Sequence, residues 1–417
     1  MPTQESVLSI VGALNQRYPH ACSLSLGRPN PDIYARLDLE RYARTYQAFL
    51  RTEKHYDNAK IRENLYTYGP SQGMITAHLA KWLANDEGIH AGEKEILVTN
   101  GCQEAYNLVL LHELRQPEDC VLIIEPSYFG FTDCVAVLGK SSVKIAIDDL
   151  ADPAGGVDFT LLPAVIEQYR RQGKQIKLIY INPDFNNPMT YQLSEAEKSM
   201  LLAVCTQQGV KIIEDGTYSA FYYDGIQPRA IKTRDNAGQV YYIGSFSKTL
   251  CPSLRLGYLV ISRHGDATFN HLLHIKDHTS LSSSALNQQI VAGFLIEHQY
   301  SLENWIRPIR DEYRARRDAM LQVLEQELDA GLLQWHAPAG GFFVYIRLPQ
   351  EINTAHLLDC AEGYQVTFLP VSYAVRDGRQ RAHGIRLAFS YYPPAAIAAG
   401  TRKFCQFLNE KLLPQQI

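Results

Sequence analysis

The sequence predicts an α/β fold: a mostly parallel sheet flanked by helices, joined to a smaller α+β part. Two patterns predict it. Short apolar runs of strand length alternate with helical patterns through the middle of the chain. After about residue 290 that alternation stops, and a long charged helix, three further strand-like runs and a terminal helix follow. The expected division is a large domain over residues 46–290 and a small one made of 1–45 with 291–417.

The strand-like runs are Ile96 to Val98, Val121 to Ile124, Val143 to Ile147, Ile176 to Ile181, Val210 to Ile213, Val240 to Ile243 and Gly257 to Ile261. Each is largely apolar, as strands buried on both faces are. Between them Ile75, Leu79, Trp82 and Leu83 share one helical face. Ser194 and Glu197 form a capping box, and Gly209 stands where that helix must stop. The later elements are a helix from Leu302 to Leu328 with Pro308 near its start, strands at 342–348, 366–370 and 385–390, and a helix from Pro394 to Leu412.

Composition narrows the function classes. The 417 residues carry 40 Lys and Arg against 44 Asp and Glu, a net charge of −4, which argues against nucleic acid or an anionic membrane as partner. No apolar run is long enough to span a bilayer, and MPTQESVLSIVGAL lacks the cationic start of an export signal. The eight cysteines are scattered without a CxxC pair, so reduced thiols and a cytoplasmic location are expected. His271, His274 and His278 can share a helix face, but nothing nearby completes a ligand set, so no metal is expected. Arg307, Arg310, Arg314, Arg316 and Arg317 alternate with Asp311, Glu312 and Asp318, the pattern of a salt-bridged surface helix.

Five motifs carry chemistry, and each follows a predicted strand. In Ser245-Phe246-Ser247-Lys248, continuing to Arg255, hydroxyls and a guanidinium make a phosphate cup beside a lysine. Such a lysine can hold a phosphorylated aldehyde as a Schiff base; read singly, it is equally a surface lysine in a Ser-rich loop. Asp215 ends an apolar strand, where a carboxylate can keep a pyridine nitrogen protonated; a helix cap is the ordinary alternative. Asn182 to Pro188 is either a polar site or a Pro/Asn turn. Thr99 to Glu104 opens a helix whose first N–H groups can bind phosphate. Glu125 to Tyr128 brings an aromatic ring able to cover a flat cofactor, or simply a turn followed by core packing. Ligands of open α/β sheets bind outside the carboxyl ends of the strands, so the set together argues for one site.

The run S-x-S-K-T-x-x-P-x-x-R-x-G-Y, from Ser245 to Tyr258, resembles the class I/II aminotransferases, fold-type I enzymes dependent on pyridoxal 5′-phosphate (PLP). The resemblance extends over roughly residues 20 to 410 and is strongest to the branch of 2-aminoadipate and kynurenine aminotransferases and MocR-type regulators. It implies a Schiff base on Lys248, Asp215 at the pyridine nitrogen, Asn187 and Tyr218 at the ring oxygen, and Tyr128 stacked on the ring. It implies Gly101, Cys102, Gln103, Ser245, Ser247 and Arg255 around the phosphate, joined by Tyr68 from a neighbouring subunit, hence a homodimer with shared sites. Arg386 then grips the substrate carboxylate, and Gly27 with its following prolines closes over the substrate.

Three departures stand out. Asn187-Pro188-Met189-Thr190 replaces the usual N-P-T-G, so a different backbone is expected there. Cys102 stands where Ser or Ala is commoner, and Arg51 to Lys60 reads as an extra polar loop. The implied activity is transfer of the amino group of an α-amino acid to a 2-oxo acid. Elimination, cyclisation (as on S-adenosylmethionine) or oxidation on the same cofactor are the alternatives. A PLP-binding sensor without turnover is the alternative of another class; with only about 20 residues before the Gly27 segment, a DNA-binding domain is not expected.

Overall fold

The computed structural model describes residues 7–153, 155–261, 266–329, 331–375 and 383–413. Met1 to Ser6, part of the start read as lacking an export signal, lie outside them. The chain begins with the helix Val7–Arg17 and the short strand β1 (Cys22–Ser23). The central strands are β2 (Ile96–Thr99), β3 (Asp119–Glu125), β4 (Ser141–Ala146), β5 (Gln175–Ile181), β6 (Lys211–Asp215), β7 (Val240–Ser245) and β8 (Gly257–Val260). They form one sheet in the order β2-β8-β7-β6-β5-β3-β4. Strands β3 to β7 run parallel to their neighbours, while β8 is antiparallel to both β7 and β2.

The sheet is buried on both faces, which explains its continuous apolar runs. Along β3, Leu122 and Ile124 enter one cluster and Val121 and Ile123 enter the opposite one. The chain order reverses at β3, which has β4 on one side and β5 on the other. That switch point leaves a crevice outside the carboxyl ends of the strands. The expected caps are present: Ser194 accepts from Glu197 N–H, and Gly209 ends the helix Glu195–Gln208 at φ 66°.

The remaining strands are β9 (Gln334–Trp335), β10 (Phe343–Arg347), β11 (Val366–Thr367), β12 (Leu369–Pro370) and β13 (Gly384–Ala388). Four of them make an antiparallel sheet in the order β12-β13-β10-β9. β1 pairs parallel with β11, and Leu24 then bridges Thr367 and Ala388 through backbone hydrogen bonds of 2.8 and 2.7 Å. The N-terminal segment is thereby stitched to strands more than three hundred residues further along the chain.

Two expectations need correction. Arg310, Arg316 and Arg317 of the helix Glu303–Glu327 are buried, not on a solvated face. Their guanidiniums lie over Tyr222, Tyr313 and Tyr223, while Arg310 pairs with Glu303 and Arg317 with Asp224 and Asp318. Delocalised charge and a weakly held hydration shell let arginine, unlike lysine, pack in this way. The polar stretch 51–60 is half helix: Leu39–Thr52 runs into it and Asn58–Tyr66 leaves it, so the loop is five residues, 53–57. All eight cysteines are free thiols, and no helix among the described residues is long and apolar enough to cross a membrane.

Candidate active site

A cavity of about 430 Å³ opens where the central strands end. Lys248, Asp215, Tyr128, Asn187, Tyr218, Cys102, Gln103, Ser245, Ser247, Arg255, Arg386 and Gly27 all line it. Gly101 lies at its edge, since a Cβ there would come within 2.8 Å of Nη2 of Arg255. Tyr68 is not brought in: it is 86% exposed on the surface of the single chain.

Lys248 sits in the one-turn helix Phe246–Thr249, directly after β7. Its Nζ donates to the carbonyl of Gly27 at 2.8 Å. Burial, reinforced by the Arg386 and Arg255 guanidiniums, lowers its pKa to about 8. The amine is therefore far easier to deprotonate than that of an exposed lysine.

Asp215 closes β6 and is held on both oxygens. Oδ1 accepts from the N–H and hydroxyl of Thr217 at 3.1 and 2.6 Å. Oδ2 accepts from the hydroxyls of Tyr106 at 2.5 Å and Tyr180 at 2.7 Å. The side chain of Asn182 joins two strand ends, donating to the Asp215 carbonyl at 2.7 Å and accepting from Asn187 N–H at 3.0 Å. A carboxylate so fixed presents one orientation to the cavity.

Arg386, on β13, reaches in from the small sheet. Its Nη1 donates to Oδ1 of Asn187 at 2.6 Å and its Nη2 to the Ser25 carbonyl at 2.5 Å. Its guanidinium lies 4.1 Å from the Phe343 ring centroid, and its buried Nε has no protein partner. Burial lowers its pKa to about 10, so it stays cationic at neutral pH. A buried guanidinium is chemically suited to a carboxylate.

The end of the cavity at Ser245, Ser247 and Arg255 is built from backbone turns. Gly101 takes φ 78° to cap the helix Cys102–Glu113, and Arg255 takes φ 47°. Gly257 admits no side chain, because a Cβ would meet the Gly244 carbonyl at 2.8 Å and Gly101 at 2.9 Å. Ser247 N–H donates to Oγ of Ser245 at 3.1 Å, setting both hydroxyls on one side. Cys102 lies 3.4 Å from the Thr217 hydroxyl, and burial pushes its thiol pKa up to about 12, so it remains neutral.

At Met189-Thr190 the changed residue falls on a left-handed backbone position. Thr190 adopts φ 61°, the left-handed conformation that suits glycine. Its N–H donates to Asn186 O at 2.8 Å and its hydroxyl lies 3.2 Å from Nε2 of His336, contacts that hold a β-branched residue in a strained region.

Sequence reasoning did not find Tyr106, Tyr180 or Thr217, nor Gly12, Leu26, Phe129 and Phe343 on the cavity wall. Thr217 carried a signal, since it lies two residues after a strand-end Asp. A tyrosine inside a helix or strand reads as core, and nothing local marks a hydroxyl aimed at a distant carboxylate.

Comparison with known proteins agrees with this geometry. Residues 37–382 match the family model described as aminotransferase class I and II. The chain is similar to an (S)-3,5-dihydroxyphenylglycine transaminase of Amycolatopsis orientalis, 29% identical over 98% of this chain and 92% of that one. It is 30% identical to aromatic-amino-acid aminotransferase 1 of Thermococcus litoralis, over 83% of this chain and 80% of that one. Its fold superposes on the crystal structure of a Pyrococcus horikoshii kynurenine aminotransferase in complex with PMP, with a TM-score of 0.83 and 27% identity over 99% and 96% of the two chains.

The residues present fit PLP. Arg255 and the two serines suit a phosphate, the rigid Asp215 carboxylate suits a pyridinium, and the buried lysine suits an aldehyde. The chain thus belongs to the class I and II aminotransferases, enzymes of the PLP-dependent fold type I.

Proposed function

We propose that the protein moves the amino group of an α-amino acid to a 2-oxo acid, with Lys248 as Schiff-base lysine and as the base that works on the substrate Cα. The observation that carries this reading is that a readily deprotonated lysine, a fixed carboxylate and a buried arginine share one cavity. When bound, PLP supplies an electron sink for the bond that breaks at Cα. Arg386 grips the α-carboxylate and so fixes which Cα bond stands across the ring plane, which selects proton removal. The Lys248 amine, when free, would take that Cα proton as general base and hold it for return as general acid.

Asp215 holds the ring nitrogen protonated, Asn187 and Tyr218 donate to the ring oxygen, and Tyr128 covers one ring face. Tyr128 lies where Gly130 leaves room for its ring, which supports that role. Gly101, Cys102, Gln103, Ser245, Ser247 and Arg255 surround the phosphate. Arg28, an exposed guanidinium on the cavity wall with no ion-pair partner among the described residues, suits the distal carboxylate of a dicarboxylic acceptor such as 2-oxoglutarate. Gly27 and the prolines after it close over the substrate.

The working form in this reading is a homodimer. Tyr68 and the neighbouring Tyr66 are 86% and 70% exposed in the single chain, as side chains that complete a partner's site would be. Eight free thiols favour the reducing cytoplasm.

The test is a visible-absorbance scan of the holoenzyme during single additions of amino acids without an oxo acid. Conversion of the bound cofactor to its amine form, reversed by an oxo acid, is expected. Product release with no need of an acceptor overturns transamination in favour of elimination, cyclisation or oxidation.

A further inference from the structure

The helix Val7–Arg17 forms part of the cavity wall, and Gly12 is its contribution. Glycine is the poorest helix former after proline, so a glycine in the middle of a helix calls for a reason. The usual reasons are absent. Gly12 is not among the residues with positive φ, and among the described residues a Cβ built on it meets nothing within 4 Å. Three other glycines inside helices make the contrast plain, while Gly363, where a Cβ also meets nothing described, is only the last residue of its helix. A Cβ on Gly130 would collide with the Tyr128 ring, one on Gly293 with the Tyr42 carbonyl, and one on Gly400 with Sγ of Cys22.

What Gly12 borders is empty cavity. The wall beside it is apolar: Leu26 and Phe129 gather in a cluster with Val7 and Val11 of the same helix, and Phe343 also lines the cavity. Every charged side chain of the cavity other than Arg28 has an assigned task at the cofactor or the α-carboxylate. The unassigned volume is thus bounded by aliphatic and aromatic groups and by a missing side chain.

We propose that Gly12 determines substrate size, its absent side chain making room for a large aromatic side chain on the amino-group donor. This rests on the aminotransferase reading above, but its test does not need turnover.

Gly12→Ala and Gly12→Leu are made in the full-length holoenzyme. Binding of 3-phenylpropionate and of propionate, neither of which carries an amine, is read from the absorbance of the bound cofactor. Wild type is expected to hold 3-phenylpropionate more tightly, and Gly12→Leu to weaken it about tenfold or more while propionate changes by less than about threefold. In steady state the same split is expected between L-phenylalanine and L-alanine. Gly12→Ala shows an intermediate loss together with an unchanged or raised melting temperature, because alanine is the better helix former. A purely structural role moves both ligands together and overturns the proposal. So does a wild type without preference for the aromatic acid, or a Gly12→Leu that keeps it. If the ligand split is found while no amino transfer occurs, the size determinant stands and the transaminase reading falls.

Discussion

Lys248 is tied to Gly27, its Nζ donating to that carbonyl at 2.8 Å. The Lys248 amine is thereby anchored to the N-terminal segment, 221 residues away in sequence. Its environment sets a pH dependence. Burial and the Arg386 charge lower its pKa from 10.5 to about 8. Between those values the unfolded chain binds the proton and the folded chain does not, so folding of the apoprotein gains stability as pH rises through that window. The amine is neutral above about 8. Reconstitution of apoprotein with PLP, followed by absorbance, is expected to accelerate through pH about 8. Arg386→Gln removes a cation and is expected to move that midpoint upward.

Replacing Arg386 tests the carboxylate grip. Arg386→Lys keeps a charge and loses the fork, so kcat/KM for amino acids is expected to fall about a hundredfold, near 3 kcal/mol, with the cofactor retained. An unchanged kcat/KM in a holo variant places the carboxylate elsewhere.

Tyr106 and Tyr180 both donate to Oδ2 of Asp215. Hydrogen bonds to a charged group contribute about 1.5–3 kcal/mol each. Tyr106→Phe is expected to weaken PLP binding about tenfold and to shift the pH titration of the cofactor absorbance, with the double Tyr106→Phe/Tyr180→Phe variant worse than either. A mere packing role leaves the titration where it was.

The turn from Asn100 to Glu104 rests on an ion pair with a buried lysine. Glu104 accepts from Asn100 N–H at 2.5 Å and from Lys276 at 3.0 and 3.1 Å, and Lys276 is fully buried. Lys276→Met strands the carboxylate and is expected to cost about 3–5 kcal/mol in urea unfolding. Adding Glu104→Gln is expected to restore part of that loss, a coupling that two independent sites do not show.

Tyr68 tests the dimer. Inactive Lys248→Ala and Tyr68→Phe chains, mixed and allowed to exchange, are expected to recover activity, because one of the two sites then has both native residues. No recovery after confirmed exchange argues for a site complete within one chain.

Much of the site was legible because its parts are local. Strand-end motifs such as Ser245 to Lys248 and Glu214-Asp215 are short, and a parallel sheet carries all such ends to one edge. The N-P-M-T departure was legible as a change of residue, but not the left-handed backbone in which neighbours of Thr190 hold it. The buried arginines of the helix Glu303–Glu327 misled in the opposite direction. A charge pattern at helical spacing looks solvated until the aromatic rings that cover it are known.

By itself the sequence determined the alternation of strands and helices, the caps, and the five chemical motifs, because burial on two faces, capping and strand-end placement are properties of a few neighbouring residues. Only the tertiary structure decided how those groups are held and what space they leave. Tyr106 reaches Asp215 across 109 residues, Arg386 reaches Asn187 across 199, and the helix bearing Gly12 closes a wall whose other parts come from Phe129 and Phe343. Such contacts leave no periodic trace along the chain, since a side chain's partner is set by where the sheets and helices pack, not by its neighbours in sequence.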